Sequence, residues 1–134
     1  MSMFSIFNVS GSAISSQSKR LNVVASNMAN ADAVAGPDGK AYKARNVVFQ
    51  TVEFDAPESK GVTVSSITES DAPFKRTYAP DHPSADANGY VDQSNVNPVE
   101  EMVNMISASR SYQNNVEVMN TAKTLMLKTL QMGQ

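Results

Sequence analysis

The sequence predicts a mainly α protein with a small β portion, in which two long terminal helices flank a central region of short strands. Apolar side chains recur at helical spacing near both ends of the chain, and β-branched and aromatic runs bounded by turn residues occur only between them. We expect the helices to pair as an antiparallel coiled coil. Residues 1–31 and 98–134 would then form a terminal helical domain, and residues 32–97 a central loop and short-strand region.

Apolar residues seven positions apart predict the first helix. Only two charged residues, Lys19 and Arg20, lie in residues 1–31, among many Ser and Asn. Gly11 weakens the first half of this helix by about 1 kcal/mol relative to Ala. The apolar row consists of Phe7, Ile14, Leu21 and Met28, with Val24 and Ala25 filling the intervening turn.

The second helix has both a start signal and a long apolar row. Asn97 is a good N-cap, Pro98 suits the first helical position, and Glu100 can reach back to the Asn97 amide. Glu101 adds a negative charge that favours the helix N-terminus. Alternating steps of three and four give Met102, Met105, Ser109, Tyr112, Val116, Met119, Lys123, Met126 and Leu130, with Ile106 beside this row.

The central region reads as strands joined by turns. Residues 47–54 and 61–68 are rich in β-branched and aromatic side chains and are separated by the Pro57 loop, which predicts a hairpin or two short strands. Two further extended pieces are expected at residues 75–78 and 89–91. Turn residues predict a turn at Gly36–Lys40 and a loop from Tyr78 to Gly89.

Several classes of protein and site are not expected. No window approaches eighteen apolar residues, so we expect no membrane insertion, and the first residues lack the features of a cleaved secretory signal. The chain has no cysteine and a net charge of −2 without a basic cluster, which argues against nucleic-acid binding. His82 is the sole histidine, and Asp38-Gly39 lacks the rest of a calcium loop. We predict no catalytic, cofactor or metal site.

The polar face of the second helix indicates that protein, not water, covers it. From Met102 to Val116 the only ionised side chain is Arg110, and amides and hydroxyls fill most other polar positions. Ser and Asn are weaker helix formers than Lys or Glu, but they are cheaper to bury once hydrogen-bonded. We therefore expect the subunit of a polymer or ring, the alternative being a bundle that is merely rich in Ser and Asn.

Three polar residues have two readings each. Asn27 and Asn30 either cap the first helix at its C-terminus or form hydrogen bonds between subunits. Arg110 is either solvated or bridges to a carboxylate or helix C-terminus of a neighbour. We favour the intersubunit role for all three.

Four segments carry a resemblance to a known family. They are LNVVASNMANAD (residues 21–32), YKARNVVFQ (42–50), HPSADANGYVDQSNVNPVEEMV (82–103) and ASRSYQNNVEVMNTAKTLMLKTL (108–130). These segments resemble the flagellar rod and hook proteins, and among them the subunits of the proximal rod. Two turns depart from the family pattern, because Asp32 and Ala33 replace the Asn-Thr of many rod proteins and Ser94 stands where Pro is expected.

The resemblance implies a structural subunit, not an enzyme. It implies a bacterial protein exported by the flagellar type III apparatus without signal cleavage, which assembles through coiled coils into the helical tube of the periplasmic rod and transmits motor torque. Implied partners are copies of itself, the proximal-rod proteins FlgB, FlgF and FliE, and the distal-rod protein FlgG. The matching positions are Leu21, Val24, Asn27, Met28 and Asn30 in the first motif, and Asn95, Asn97, Glu100, Met102, Arg110, Tyr112, Asn115 and Val116 in the second.

Two other functions stay open at this point. A soluble helical adaptor or export-chaperone-like protein would be a compact folded monomer, whereas a rod subunit should have termini that order only on assembly. A helix lying in a membrane interface is disfavoured, because Lys and Arg are nearly absent along the apolar faces. We predict an assembly interface built from the apolar rows together with Asn27, Asn30, Asn95, Asn97, Glu100, Ile106, Arg110 and Asn115.

Overall fold

The described residues form two long helices with four short strands between them. The computed structural model describes residues 2–54 and 59–133. The elements in chain order are α1 (Met3–Ala29), β1 (Arg45–Glu53), β2 (Lys60–Glu69), β3 (Lys75–Tyr78), β4 (Tyr90–Gln93) and α2 (Pro98–Met132). The predicted mainly helical fold with a small β portion is confirmed at this level.

Side chains close both ends of α1. The N–H of Ser5 donates to the hydroxyl of the N-cap Ser2 at 3.3 Å. At the other end, Asn30 is the C-cap residue, and its side-chain amide donates to the Ser26 carbonyl at 2.8 Å. Its φ of −105° is ordinary backbone, so Asn30 caps the helix without the left-handed conformation that Asn tolerates.

The start of α2 is specified largely as the sequence predicts. The side chain of Asn97 accepts from the Val99 N–H at 3.1 Å, and Pro98 is the first helical residue. Among the described residues, Glu100 is exposed and does not make the expected bond to the Asn97 amide. Glu101 is buried instead, because its side chain points into the protein toward α1.

The strands form two separate antiparallel pairs. β1 and β2 make a hairpin whose register runs from Arg45 opposite Glu69 to Glu53 opposite Lys60, with a shift between Val48 and Phe49. β3 pairs with β4 from Lys75 opposite Gln93 to Tyr78 opposite Tyr90. The predicted hairpin and extended pieces are confirmed, while the Pro57 loop lies outside the described residues.

The two helices pack side by side and run in opposite directions. Asn27 of α1 donates to Glu101 at the start of α2 at 3.2 Å. The earlier residue Arg20 donates to the later residue Asn104, also at 3.2 Å. This order fits the antiparallel arrangement that we expected, and the finer expectation of a coiled coil stays a prediction.

The buried apolar core is small and consists mostly of alanine. It includes a cluster of Ala31, Ala44 and Val96, against which the half-buried Tyr42 packs. Such small side chains bury little apolar area each, so they add little hydrophobic stabilisation. The buried apolar residues described are Val24, Ala31, Ala35, Ala41, Ala44, Val91, Val96, Ala108 and Ala122.

Candidate assembly surface

A buried asparagine joins α1, α2 and the start of β1. Asn27 is 1% exposed. Its amide nitrogen donates to the Arg45 carbonyl at 2.8 Å and to the Glu101 carboxylate at 3.2 Å. Its amide oxygen accepts from the Tyr42 hydroxyl at 3.0 Å and from the Arg45 N–H at 3.0 Å. We call this group, Asn27, Tyr42, Arg45 and Glu101, the junction.

The environment of the junction changes the ionisation of Tyr42. Burial raises the pKa of the Tyr42 hydroxyl, because the phenolate would be poorly solvated there. The Arg45 guanidinium, 5.8 Å from the centre of the Tyr42 ring, opposes this pKa increase. The hydroxyl therefore stays protonated and remains a donor to Asn27.

A second asparagine secures the segment that leads into α2. The amide oxygen of Asn95 accepts from the Ala44 N–H at 2.6 Å. Its amide nitrogen donates to the carbonyls of Ser70 and Ala72, at 3.2 and 2.9 Å. Next to it, the buried Ser94 hydroxyl accepts from the Val96 N–H at 3.1 Å. Ser94, at the position where Pro was expected, thus holds its turn by hydrogen bonding.

The surface of α2 that packs on α1 is lined by small and polar residues as well as methionines. α1 is the only described helix or strand against which α2 packs. Ala108 is 0% exposed, and Glu101 and Ala122 are also buried. At steps of three and four, the half-buried Met105, Tyr112, Asn115 and Met119 lie between them, and the half-buried Met126 follows Ala122.

The opposite side of α2 exposes a row of large apolar side chains. Val99, Met102, Val103 and Ile106 are all exposed, and their spacing places them on one helical face. We call these four residues the outer face of α2. Two of them, Val103 and Ile106, line a cavity of about 350 Å³ together with Ser107, Arg110 and Ser111. Further along α2, Val118, Leu125, Leu127, Leu130 and Met132 are also exposed.

Comparison with known proteins places the chain among rod proteins. A family model described as flagella basal body rod protein matches residues 7–37, and one for the C-terminal part of flagellar basal body rod FlgEFG proteins matches residues 87–132. The chain is 58% identical to flagellar basal-body rod protein FlgC of Salmonella typhimurium, over 100% of both chains. It is 40% identical to FlgC of Buchnera aphidicola subsp. Baizongia pistaciae, again over 100% of both.

The chain belongs to the FlgC family of flagellar basal-body rod proteins. FlgC proteins are structural components of the rod and are not enzymes. Among the described residues, no group of His, Cys, Asp or Glu could hold a metal ion, and no helix is both long and apolar enough to cross a membrane. His82 accepts a hydrogen bond at Nδ1 from the Ser84 N–H at 3.1 Å.

In this FlgC-family chain, four of the nine residues in the predicted row on α2 lie on the surface that packs on α1. Met105, Tyr112, Met119 and Met126 belong both to the predicted row and to the surface of α2 that packs on α1. At the alternate positions the helix instead presents the preceding residues, Glu101, Ala108, Asn115 and Ala122. Alanine at these positions lets two helix backbones approach closely. The row that packs on α1 therefore differs from the predicted apolar row by one residue at every second position, and the predicted assembly interface stays a prediction.

The remaining predicted interface residues fall into three groups by exposure. Phe7, Ile14, Leu21, Met28 and Val116 are half-buried, and Val24 is buried. The exposed group consists of Asn97, Glu100, Met102, Ile106, Arg110 and Leu130. Asn30 and Asn95 are half-buried, and their side-chain amides, like that of Asn27, form hydrogen bonds within the chain.

The hydrogen bonds of the three asparagines agree with a role inside one chain. For Asn30 they match the capping alternative, whereas Asn27 joins different elements and is not a cap. Arg110 makes no hydrogen bond or ion pair with another described residue, so its guanidinium is available. The burial of Glu101 was not predicted from the sequence. The available signal was the pair of small residues Ala108 and Ala122, which lie seven and twenty-one positions later and are buried with it.

The total surface area shows how much of the chain is left uncovered. The solvent-accessible area is 8996 Å² for 14.4 kDa. A compact monomer of this mass exposes about 6,800 Å². The excess of about 2,200 Å² is comparable to the total area buried in a specific protein interface. Of the sixteen large apolar side chains that are exposed among the described residues, nine belong to α2.

Proposed function

We propose that the chain is a subunit of the proximal rod and that it assembles through the exposed surfaces of its helices into a helical tube that transmits motor torque. The observation that carries this proposal is the outer face of α2, a row of exposed apolar side chains on a helix whose other side already packs on α1. Exposed apolar rows of this kind mark interaction sites.

The lengths of the helices and the hydrogen bonds of the junction are suited to a rigid subunit. α1 and α2 have 27 and 35 residues, which corresponds to lengths of about 40 and 52 Å. The junction ties them to the hairpin at one end, so the angle between helices and hairpin is set within each subunit. Repetition of one such unit on helical symmetry would give a tube in which many modest contacts resist torsion.

The proposal includes coiled-coil packing between subunits and a set of partners. These are copies of the chain, the proximal-rod proteins FlgB, FlgF and FliE, and the distal-rod protein FlgG, with the type III export apparatus met in transit. The site would be the periplasmic rod, reached without a cleaved signal. Support comes from family membership. The proposal keeps the predicted division into a terminal helical part (1–31 and 98–134) and a central part (32–97).

The amide-rich surface of α2 supports burial by neighbouring subunits. Near the outer face, Arg110 is the one charged side chain between Met102 and Val116. Amides and hydroxyls lose less than ammonium or carboxylate groups when a partner covers them and supplies hydrogen bonds. Family membership favours this function over the soluble adaptor or export chaperone.

The test is the substitution Ile106→Asp. Ile106 is 58% exposed in the single chain, so we expect the free energy of unfolding of the purified subunit to change by less than about 0.5 kcal/mol. A carboxylate buried at a subunit contact is costly, so rods should not be completed and swimming should stop. The measurements are swimming in soft agar, electron microscopy of isolated basal bodies, and urea unfolding.

Thr129→Asp is the matched control, since Thr129 is also exposed on α2 but points about 140° away from Ile106 around the helix axis. We expect this variant to swim normally. Normal rods in the Ile106→Asp strain would refute the assigned surface, as would equal loss of swimming in both variants.

A further inference from the structure

The two strands of the β1–β2 hairpin differ in what covers their outer edges. On β2, the Val62 N–H donates to the Ser12 hydroxyl at 3.1 Å, and the Val62 carbonyl accepts from the Ser16 hydroxyl at 3.0 Å. On β1, the N–H and the carbonyl of Arg45 both bond to the Asn27 side chain. These backbone groups of Arg45 therefore point away from β2.

The rest of the β1 edge has no such cover. Backbone groups alternate in direction along an antiparallel strand, so those of Val47, Phe49 and Thr51 point to the same side as those of Arg45. The register agrees, because Thr51 lies opposite Val62, whose groups also point away from the partner strand. Among the described residues, nothing outside the hairpin bonds to the backbone of Val47, Phe49 or Thr51.

The sequence of β1 does not protect this edge. Residues 46–52 contain neither a charged side chain nor a proline. Natural sheets usually block an open edge with one of these, or cover it, because unpaired donors and acceptors are a template for another strand. An uncharged open edge is therefore suited to strand addition.

A cavity lies beside the same strand. Its volume is about 300 Å³, and Val47 and Phe49 of β1 line it together with Val24 of α1 and Asn104 of α2. This volume is at the lower end of the range for ligand sites, roughly 300 to 1,000 Å³. An extended segment added to β1 could place one side chain there.

The charges around the cavity favour a carboxylate as that side chain. Glu101 is only 6% exposed, and Asn27 bonds to it. Arg20 donates to the neutral Asn104 side chain, and Arg45 lies over the Tyr42 ring. Neither arginine forms an ion pair with a described residue, so each keeps unused N–H donors that match a carboxylate.

We infer that β1 is a docking strand for an extended segment of another polypeptide, which adds to the outer edge of β1 and places an acidic side chain between Arg20 and Arg45. This interaction is separate from the helix surfaces of the proposed function, because it uses backbone hydrogen bonds of the hairpin.

The experiment uses the full-length ¹⁵N-labelled protein and blocked synthetic heptapeptides. The probe is Thr-Val-Thr-Asp-Thr-Val-Thr, compared with the same peptide carrying a central Lys and with one N-methylated at alternate residues. We expect amide shifts at Val47, Phe49 and Thr51, and binding weaker by about tenfold or more for both comparison peptides. Equal binding of the N-methylated peptide, shifts confined to the helices, or no shifts at millimolar peptide would overturn the inference.

Protein variants provide the matched arm. Val47→Pro removes an N–H that points away from β2, whereas Val47→Ala keeps it, so only the former should abolish binding. Arg20→Gln and Arg45→Gln should each lower the affinity for the Asp-containing peptide to that for the same peptide with a central Thr. Unchanged affinity in both arginine variants would remove the carboxylate from the inference, and Ile106→Asp should leave peptide binding unaffected.

Discussion

The junction and the outer face of α2 lie near the same end of α2 but are completed in different ways. At the junction, one buried amide makes four hydrogen bonds to residues of the same chain. On the outer face, Val99 and Met102 flank Glu101 in sequence yet expose large apolar side chains to solvent. On this turn of α2, one side is thus packed and hydrogen-bonded within the chain, whereas the other side exposes apolar side chains to solvent.

The difference indicates how the subunit divides its stability. Polar groups buried in a low-dielectric interior need every partner in place, which fixes one geometry for the helices and the hairpin. Apolar side chains on a surface carry no such demand and can be covered later by a partner. Substitutions at the junction should therefore change the single chain, whereas substitutions on the outer face should change assembly.

The largest effect is expected for Asn27→Ala. This change leaves the Glu101 carboxylate, the Tyr42 hydroxyl and the Arg45 backbone without their common partner. We expect a loss of about 3 to 5 kcal/mol in the free energy of unfolding, because a buried carboxylate and a buried hydroxyl are left unsatisfied. Urea unfolding of the purified chain, followed by circular dichroism, measures this loss.

Asn30→Ala is the control for that experiment. Asn30 lies three residues further and makes one exposed bond, to the Ser26 carbonyl. Its loss should cost about 0.5 to 1 kcal/mol. If Asn27→Ala cost no more than Asn30→Ala, the junction would not be what holds the helices and hairpin together.

A smaller effect is expected where the helices touch. Ala108 is 0% exposed at the contact between α2 and α1. Ala108→Leu adds volume where the backbones are close, so we expect a loss of about 1 to 3 kcal/mol from overpacking. The same substitution at Ser107, which is exposed, should leave the unfolding free energy nearly unchanged. A stable Ala108→Leu variant would mean that this contact can open without cost.

The sequence predicted the elements well because their signals are local. Asn97 and Pro98 start α2 where the capping rules place it, and the strands follow the β-branched runs. The orientation of α2 was harder, since Met102 and Glu101 are neighbours and apolarity alone favours burying Met102. The structure buries Glu101 because Asn27, seventy-four residues away, supplies a hydrogen bond that no local pattern encodes.

The role of Asn27 shows the same limit. Its polar character and its place near the end of α1 marked it as a candidate for capping or for a subunit contact. Its bonds to Tyr42, Arg45 and Glu101 depend on three segments meeting, which is a property of the tertiary fold. Local rules therefore found the residue but not its partners.

Tyr42→Phe should weaken the junction by a single hydrogen bond. Asn27 would keep its other acceptor contact, from the Arg45 N–H, so we expect a loss of about 1 kcal/mol. Since the pKa of Tyr42 is raised above 10.0, its contribution is fully present below pH 10 and is lost as pH rises through the folded-state pKa. The stability difference between the two proteins should therefore shrink in strong alkali, as measured by urea unfolding at several pH values.

The smallest effect is expected far from both regions, in the loop between β3 and β4. Asp86 accepts from the N–H groups of Tyr90 and Asn88, both at 2.9 Å, and lies 3.6 Å from the Arg76 guanidinium. The Tyr90 N–H is the main cause of the lowered pKa of Asp86, because it stabilises the carboxylate. A lowered pKa contributes stability above the unfolded value of 3.8, and this is lost as pH falls through the folded value.

Asp86 lies in an exposed loop, so acid should loosen this loop without unfolding the helices. We expect amide exchange at Gly89 and Tyr90 to rise below pH 3.8 in the parent chain, after correction for the intrinsic pH dependence of exchange. Asp86→Asn should remove that pH dependence, and Asp81→Asn, in the same loop, should keep it. If low pH raised amide exchange equally at the junction, this loop and the junction would be coupled. The contrast between a junction completed within the chain and surfaces that behave independently of it would then fail.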